Sequence, residues 1–164
     1  MMIRALILSA AVFMIQVAKA QTACNVQTKY GGDGVAIKYI TPTAIDSTAD
    51  YKTSIGMEFN GSYNYIRIML SFKTAVKKVM GDLTIQFAND LTYIYVPLVN
   101  CTTSEVQGKQ VTSCNYIVLD KYVTALKTKT IGTVVFGLSD KTFKAIDLKQ
   151  QNAILKNAIS CLNP

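Results

Sequence analysis

The sequence predicts an α+β fold: a mainly antiparallel β-sheet of about seven strands, a short helix near 120–127, and a C-terminal amphipathic helix packed on the sheet. Three observations carry that expectation. Apolar and polar residues alternate over Tyr63–Phe72 and Leu83–Phe87, the period of a half-buried strand. Turn pairs recur between such runs, at Asn60-Gly61, Gly81-Asp82 and Asn89-Asp90, as a meander of hairpins requires. The final segment changes to a sustained helical spacing, and an amphipathic helix of that kind needs a sheet to cover.

The N-terminus reads as an address. Met1-Met2-Ile3-Arg4 is a short basic start, Ala5–Val17 is apolar apart from Ser9 and Gln16, and Ala18-Lys19-Ala20 offers small residues for cleavage. That order is a secretory signal peptide over residues 1–20, leaving residues 21–164 as a single globular domain beginning at Gln21. The apolar run is too short for a spanning helix, and no later stretch would cross a bilayer after cleavage. Lipidation at Cys24 is the competing reading, weakened because Gln21 stands where a leucine-like residue is wanted.

Through the mature chain, residues 21–34 read as irregular and end in Gly31-Gly32-Asp33-Gly34. Val35–Ile40 follows as a strand that Thr41-Pro42 stops, because proline cannot donate to a ladder. The polar stretch to Ser54 reads as a loop, and Ile55–Phe59 and Tyr63–Phe72 as a hairpin about Asn60-Gly61. Ile66, Ile68, Leu70 and Phe72 share one face of the second strand; Tyr63, Tyr65, Arg67 and Met69 share the other. Gly81-Asp82 turns the chain into Leu83–Phe87, and Asn89-Asp90 into Leu91–Val99. Residues 100–113 read as a polar loop, Cys114–Leu119 as a strand, and Asp120 as the cap of the short helix. Ile131–Leu138 and Thr142–Ile146 form a last hairpin about Ser139-Asp140-Lys141. Asp147 and Gln150 then stand in capping-box spacing ahead of Leu148, Gln151, Leu155, Ala158, Ile159 and Leu162. Ile85–Leu98 and Val135–Leu148 echo each other without a gap.

Removing Arg4 and Lys19 with the leader leaves 15 Lys/Arg against 10 Asp/Glu, a spread positive charge whose tightest group is Lys73, Lys77 and Lys78. With no recognisable binding motif, nucleic acid is not an expected partner. Four cysteines in an exported chain read as two disulfides. Three pairings are open; proximity suggests Cys101–Cys114 and Cys24–Cys161. There is no histidine and no C-x-x-C pair, so no zinc site or other cofactor is expected and His-dependent triads are excluded. Two glutamates occur, so a paired-carboxylate hydrolase would draw on Asp33, Asp46, Asp50, Asp82, Asp90, Asp120, Asp140 or Asp147, several of which suit turns or caps.

The expectation is therefore a non-catalytic exported domain that binds a protein or glycan, in the periplasm or outside the cell. Nine tyrosines and no tryptophan occur, with Tyr63/Tyr65 and Tyr93/Tyr95 each at i, i+2, so each pair shares a strand face. Were the two strands adjacent, these four rings and Arg67 would make one aromatic platform. The alternative is an inhibitor presenting residues 102–113 as a loop braced by Cys101–Cys114. Sequons at Asn60-Gly61-Ser62 and Asn100-Cys101-Thr102 matter only in a host that glycosylates its exports.

Overall fold

The computed structural model describes residues 24–73, 75–89, 92–148 and 151–162; the signal-peptide reading of residues 1–20 lies outside them. The fold is α+β, with antiparallel strands in two sheets and a C-terminal helix packed on the first. The strands are β1 (Val26–Tyr30), β2 (Ala36–Ser47), β3 (Tyr51–Phe59), β4 (Asn64–Phe72), β5 (Val79–Phe87), β6 (Tyr93–Val96), β7 (Leu98–Val106), β8 (Lys109–Val118), β9 (Ile131–Leu138) and β10 (Phe143–Asp147). Helix α1 spans Asp120–Thr128 and α2 spans Ile154–Leu162. Sheet A runs β1-β2-β3-β4-β8-β7, and sheet B runs β10-β9-β5-β6.

The alternation in β3 and β4 sets the core. Ile55, Ile68 and Cys114 lie in one row across β3, β4 and β8, and Met57, Ile66 and Tyr116 in the next. All six are fully buried. Sheet B covers the β7–β8 side of this inner face through β5 and β6, while α2 covers the β2–β3 side and leans on α1. Leu126 from α1 and Leu155, Ala158, Ile159 and Leu162 from α2 complete the buried cluster. Each large aliphatic chain so buried contributes about 1.5–3 kcal/mol.

Several boundaries differ from the sequence-based expectation, each for a local reason. Val26–Tyr30 is a strand, joined to β2 by a tight turn in which Gly34 takes a positive φ of 77°. β2 does not end at Thr41-Pro42; its register with β3 slips between Ile40 and Thr43, so the proline sits in a bulge that asks for no N–H. The expected loop up to Ser54 is thus the rest of β2, a short turn and the start of β3. Gly81-Asp82 is not the turn before β5 but a bulge within it, with Gly81 at φ 73°. Leu119 occupies the N-cap of α1 without a side-chain bond, and Asp120 is its first helical residue. Asp147 ends β10 instead of capping α2, which begins at Ile154, while Gln150 lies outside the described residues.

The expected strand Leu91–Val99, whose first residue lies outside the described residues, is not one strand in one sheet. β6 pairs with β5, the chain bends at Pro97, and β7 then pairs with β8 in sheet A. The Ile117 N–H donates to the Pro97 carbonyl at 2.9 Å, which seals the corner. The faint echo also has a place in the fold. β5 and β9 pair with Ile85 opposite Val134 and Thr84 opposite Val135. The 50-residue offset exchanges these two pairs, so the β5–β6 and β9–β10 hairpins sit about a local two-fold in sheet B. At the β9–β10 turn, Lys77 and Asp140 pair at 2.8 Å, and the Lys77 ammonium and Thr142 hold the Asp140 carboxyl well below the usual carboxylate range.

Both expected disulfides are present, Cys24–Cys161 and Cys101–Cys114, and no described cysteine is free. Two disulfides are compatible with an oxidising, exported environment. The first bond also takes up the Cys24 thiol that a lipid would need.

Several buried polar atoms lack a hydrogen-bond partner, and Tyr116 is the one among them that titrates far from its ordinary range. Tyr116 is fully buried, and its hydroxyl has no hydrogen-bond partner. Burial, with a smaller push from the Asp82 charge, raises its phenol far above the ordinary value near 10. Stability is therefore insensitive to this group below pH about 10 and falls as pH rises past it, because only the unfolded chain then gives up the proton. Tyr116→Phe is expected to remove that alkaline slope and to raise stability at neutral pH by about 1 kcal/mol, measured by urea unfolding between pH 7 and 11.

Candidate binding face on sheet A

The outer face of sheet A presents a charged constellation that the core does not require. Glu58 alternates outward from Met57, and the register places it between Tyr39 of β2 and Tyr65 of β4. It is nonetheless only 4% exposed, because neighbours close over it. Lys29, reaching from β1, sets Nζ 2.6 Å from its Oε1, and Arg67 sets Nη1 2.7 Å from that same oxygen. The Arg67 Nε donates to Asn115 Oδ1 of β8 at 3.1 Å, and Lys29 Nζ lies 5.3 Å from the centre of the Tyr39 ring. Five strands thus contribute one polar group each, and each side chain is held by the next.

A pocket of about 160 Å³ opens beside this cluster, lined by Tyr39, Ile40, Pro42, Gly56, Met57, Glu58, Arg67 and Met69. The β2 bulge forms one wall and Gly56 lies beneath it. A Cβ on Gly56 would lie 3.1 Å from the Ile40 carbonyl and from Pro42, so any larger residue there would push the bulge outward by a few tenths of an ångström. Gly56→Ala is expected to cost about 1–3 kcal/mol by overpacking and to displace Pro42 from the pocket wall, read by urea unfolding and by amide shifts in β2.

The structure divides the expected tyrosine platform. Tyr65 and Arg67 belong to the face just described, with Tyr63 52% exposed at the end of its hairpin loop. Tyr93 and Tyr95 are also exposed, but they lie on β6 at the edge of sheet B, pointing away from buried Ile94 and Val96. Because β6 pairs with β5 and not with β4, the four rings do not meet. Lys29, Tyr39, Glu58 and Asn115 were absent from the expected site. The one signal available was Glu58 itself, a carboxylate inside an apolar strand.

The expected loop 102–113 is instead the upper part of a hairpin arm. β7 and β8 pair through Val106 and Lys109, and Gln107 and Gly108 turn the chain with positive φ values of 51° and 72°. Cys101–Cys114 bridges directly opposed residues, Thr103 and Thr112 share a hydrogen bond at 3.0 Å, and every residue from Val99 to Gln110 is exposed. Asn100 is exposed on this arm, whereas Asn60 is engaged: its Nδ2 donates to the Tyr65 hydroxyl and its Oδ1 accepts the Ser62 and Tyr63 amides.

The described aspartates are dispersed, and Asp90 lies outside the described residues. Asp46 pairs with Lys144 and Asp140 with Lys77, while Asp33 and Asp82 accept backbone N–H bonds. Among the described residues no three His, Cys, Asp or Glu side chains gather as a metal would need, and no helix is long and apolar enough to cross a membrane. The chain matches no protein-family model, no curated protein and no solved structure.

Proposed function

We propose that this chain is an exported, non-catalytic binding domain whose contact surface is the outer face of sheet A around Tyr39, Glu58, Tyr65 and Arg67. The observation that carries the reading is the shared Glu58 oxygen: two cations from separate strands converge on one buried carboxylate beside an open pocket. Sheet stability alone is better served by apolar cross-strand pairs, since buried ion pairs contribute little net energy. The oxidised cysteines and the basic, apolar N-terminus support export, and the absence of histidine from the whole sequence favours binding over acid–base chemistry.

The β7–β8 arm favours a second reading, in which the disulfide-braced hairpin is presented to a target as an inhibitor would present it. A pre-organised hairpin loses less freedom on docking. The two readings separate in one experiment. Immobilised wild-type protein, a Tyr65→Ser/Arg67→Ala variant and a Glu105→Lys/Lys109→Glu variant are exposed to the extracellular and envelope fractions of the source cells. A partner kept by wild type and lost only by the first variant supports the sheet face. Loss only in the second supports the arm, and retention by both variants refutes both surfaces.

A further inference from the structure

We infer that the pocket beside Arg67 takes a small molecule bearing a carboxylate on a ring-sized body. This rests on the binding-face reading above and adds the chemistry of what is bound.

Charge is the first argument. Glu58 supplies one negative charge, Lys29 and Arg67 supply two positive ones, and both cations reach Oε1 of the same carboxylate. No other acidic side chain lies on this face of β1, β2, β3, β4 or β8. The cluster therefore carries a net charge of about +1 where the anion is almost sealed from water, and a second anion is what it lacks.

Donor geometry is the second argument. The Arg67 guanidinium has five N–H groups in a planar fork. Nε donates to Asn115 and Nη1 lies against Glu58, so these two contacts account for two of the five N–H groups. Lys29 and Arg67 side chains remain 36% and 23% exposed, so their remaining donors can be reached from solvent. A planar oxyanion is the complement of such a fork.

Size and lining are the third. Tyr39, Pro42, Gly56 and Met69 give the pocket a mainly apolar wall beside the guanidinium, and its volume is about 160 Å³. A cavity of roughly 150 Å³ accommodates one benzene-sized ring. Charge and volume together select a single ring carrying a carboxylate.

The test is an amide-shift titration of the isotopically labelled, disulfide-bonded protein at low ionic strength. The probes are sodium benzoate and sodium glucuronate, with benzyl alcohol and glucose as their neutral counterparts. Saturable shifts are expected at Gly56, Glu58, Arg67 and Asn115 with at least one carboxylate, its neutral counterpart binding at least ~10-fold more weakly. A benzoate response names a flat aromatic body; a glucuronate response names an acidic sugar. Arg67→Lys keeps the charge but not the fork, and is expected to weaken binding by about 10-fold. Tyr95→Ala, on the other sheet, is expected to leave it unchanged. Should Arg67→Lys disturb the fold, Lys29→Met serves, since it removes one of the two cations from the edge of the sheet. Equal affinity for a carboxylate and its alcohol would overturn the carboxylate assignment while leaving the binding face intact. No saturable shift with either carboxylate would overturn the assignment too, and the capture experiment would then decide the face by itself.

Discussion

Replacing Cys24 and Cys161 together with serine is expected to lower the unfolding free energy by up to about 5 kcal/mol. The bond joins residues 137 apart, so it ties the two ends of the described chain. In the chain-entropy model a closed loop of this length restrains the unfolded ensemble by about 5 kcal/mol, whereas the Cys101–Cys114 hairpin bond, with a separation of 13, restrains it by about 3. The native side of the argument points the same way. Cys24 lies two residues before β1, a five-residue edge strand that pairs only with β2, and Cys161 lies in the last turn of α2. Without the bond, β1 would be held by one ladder, by Val26 against the core and by the Lys29–Glu58 contact. Urea unfolding of the two double-serine variants measures both effects, and hydrogen exchange across Val26–Tyr30 reports the loosened strand. A loss below 1 kcal/mol for Cys24/Cys161 would mean that the ends are not held as described.

The second large effect is expected at Glu58. Glu58→Ala removes the one anion that Lys29 and Arg67 share, leaving two neighbouring cations without their common counter-ion. Breaking a fully buried ion pair by removing one partner costs about 3–5 kcal/mol. Here both cations keep partial access to water, so about 2–4 kcal/mol is expected. Adding Arg67→Met to Glu58→Ala is expected to recover part of that loss, because one unpaired charge is removed with it. A urea series on the two single variants and the double variant measures the coupling. A Glu58→Ala cost under 0.5 kcal/mol, with no recovery in the double variant, would show that the constellation carries no strain of charge.

Much of the inner face was legible in the sequence, and the reasons are local. Alternation over Ile66–Phe72 and Leu83–Phe87, the Asn60-Gly61 turn and the apolar stripe of α2 each report burial within a few residues of themselves. The disulfides were legible because two cysteines flank a short polar segment and two lie near the ends. What escaped were strands held by pairing and not by burial. β1 and β7 sit at the edges of sheet A, with no row of apolar residues to mark them. Pro42 and Gly81 read as breaks because bulges let each residue stay inside a ladder that its own chemistry would interrupt.

The site divides along the same line. Tyr65 and Arg67 share a face by alternation alone, so sequence brings them together. Lys29, Tyr39 and Asn115 join them only through the strand order β1-β2-β3-β4-β8, which depends on contacts far apart in the chain. The same non-local order sends Tyr93 and Tyr95 to the other sheet.

Site-specific photocrosslinking in the source cell tests the central claim most directly. A benzophenone amino acid is placed at Tyr65 on the outer face of sheet A, or at Tyr95 on sheet B, in otherwise unchanged protein. The account predicts an ultraviolet-dependent adduct from position 65 and none from position 95. Adducts from position 95 alone would contradict it and move the binding face to the opposite sheet.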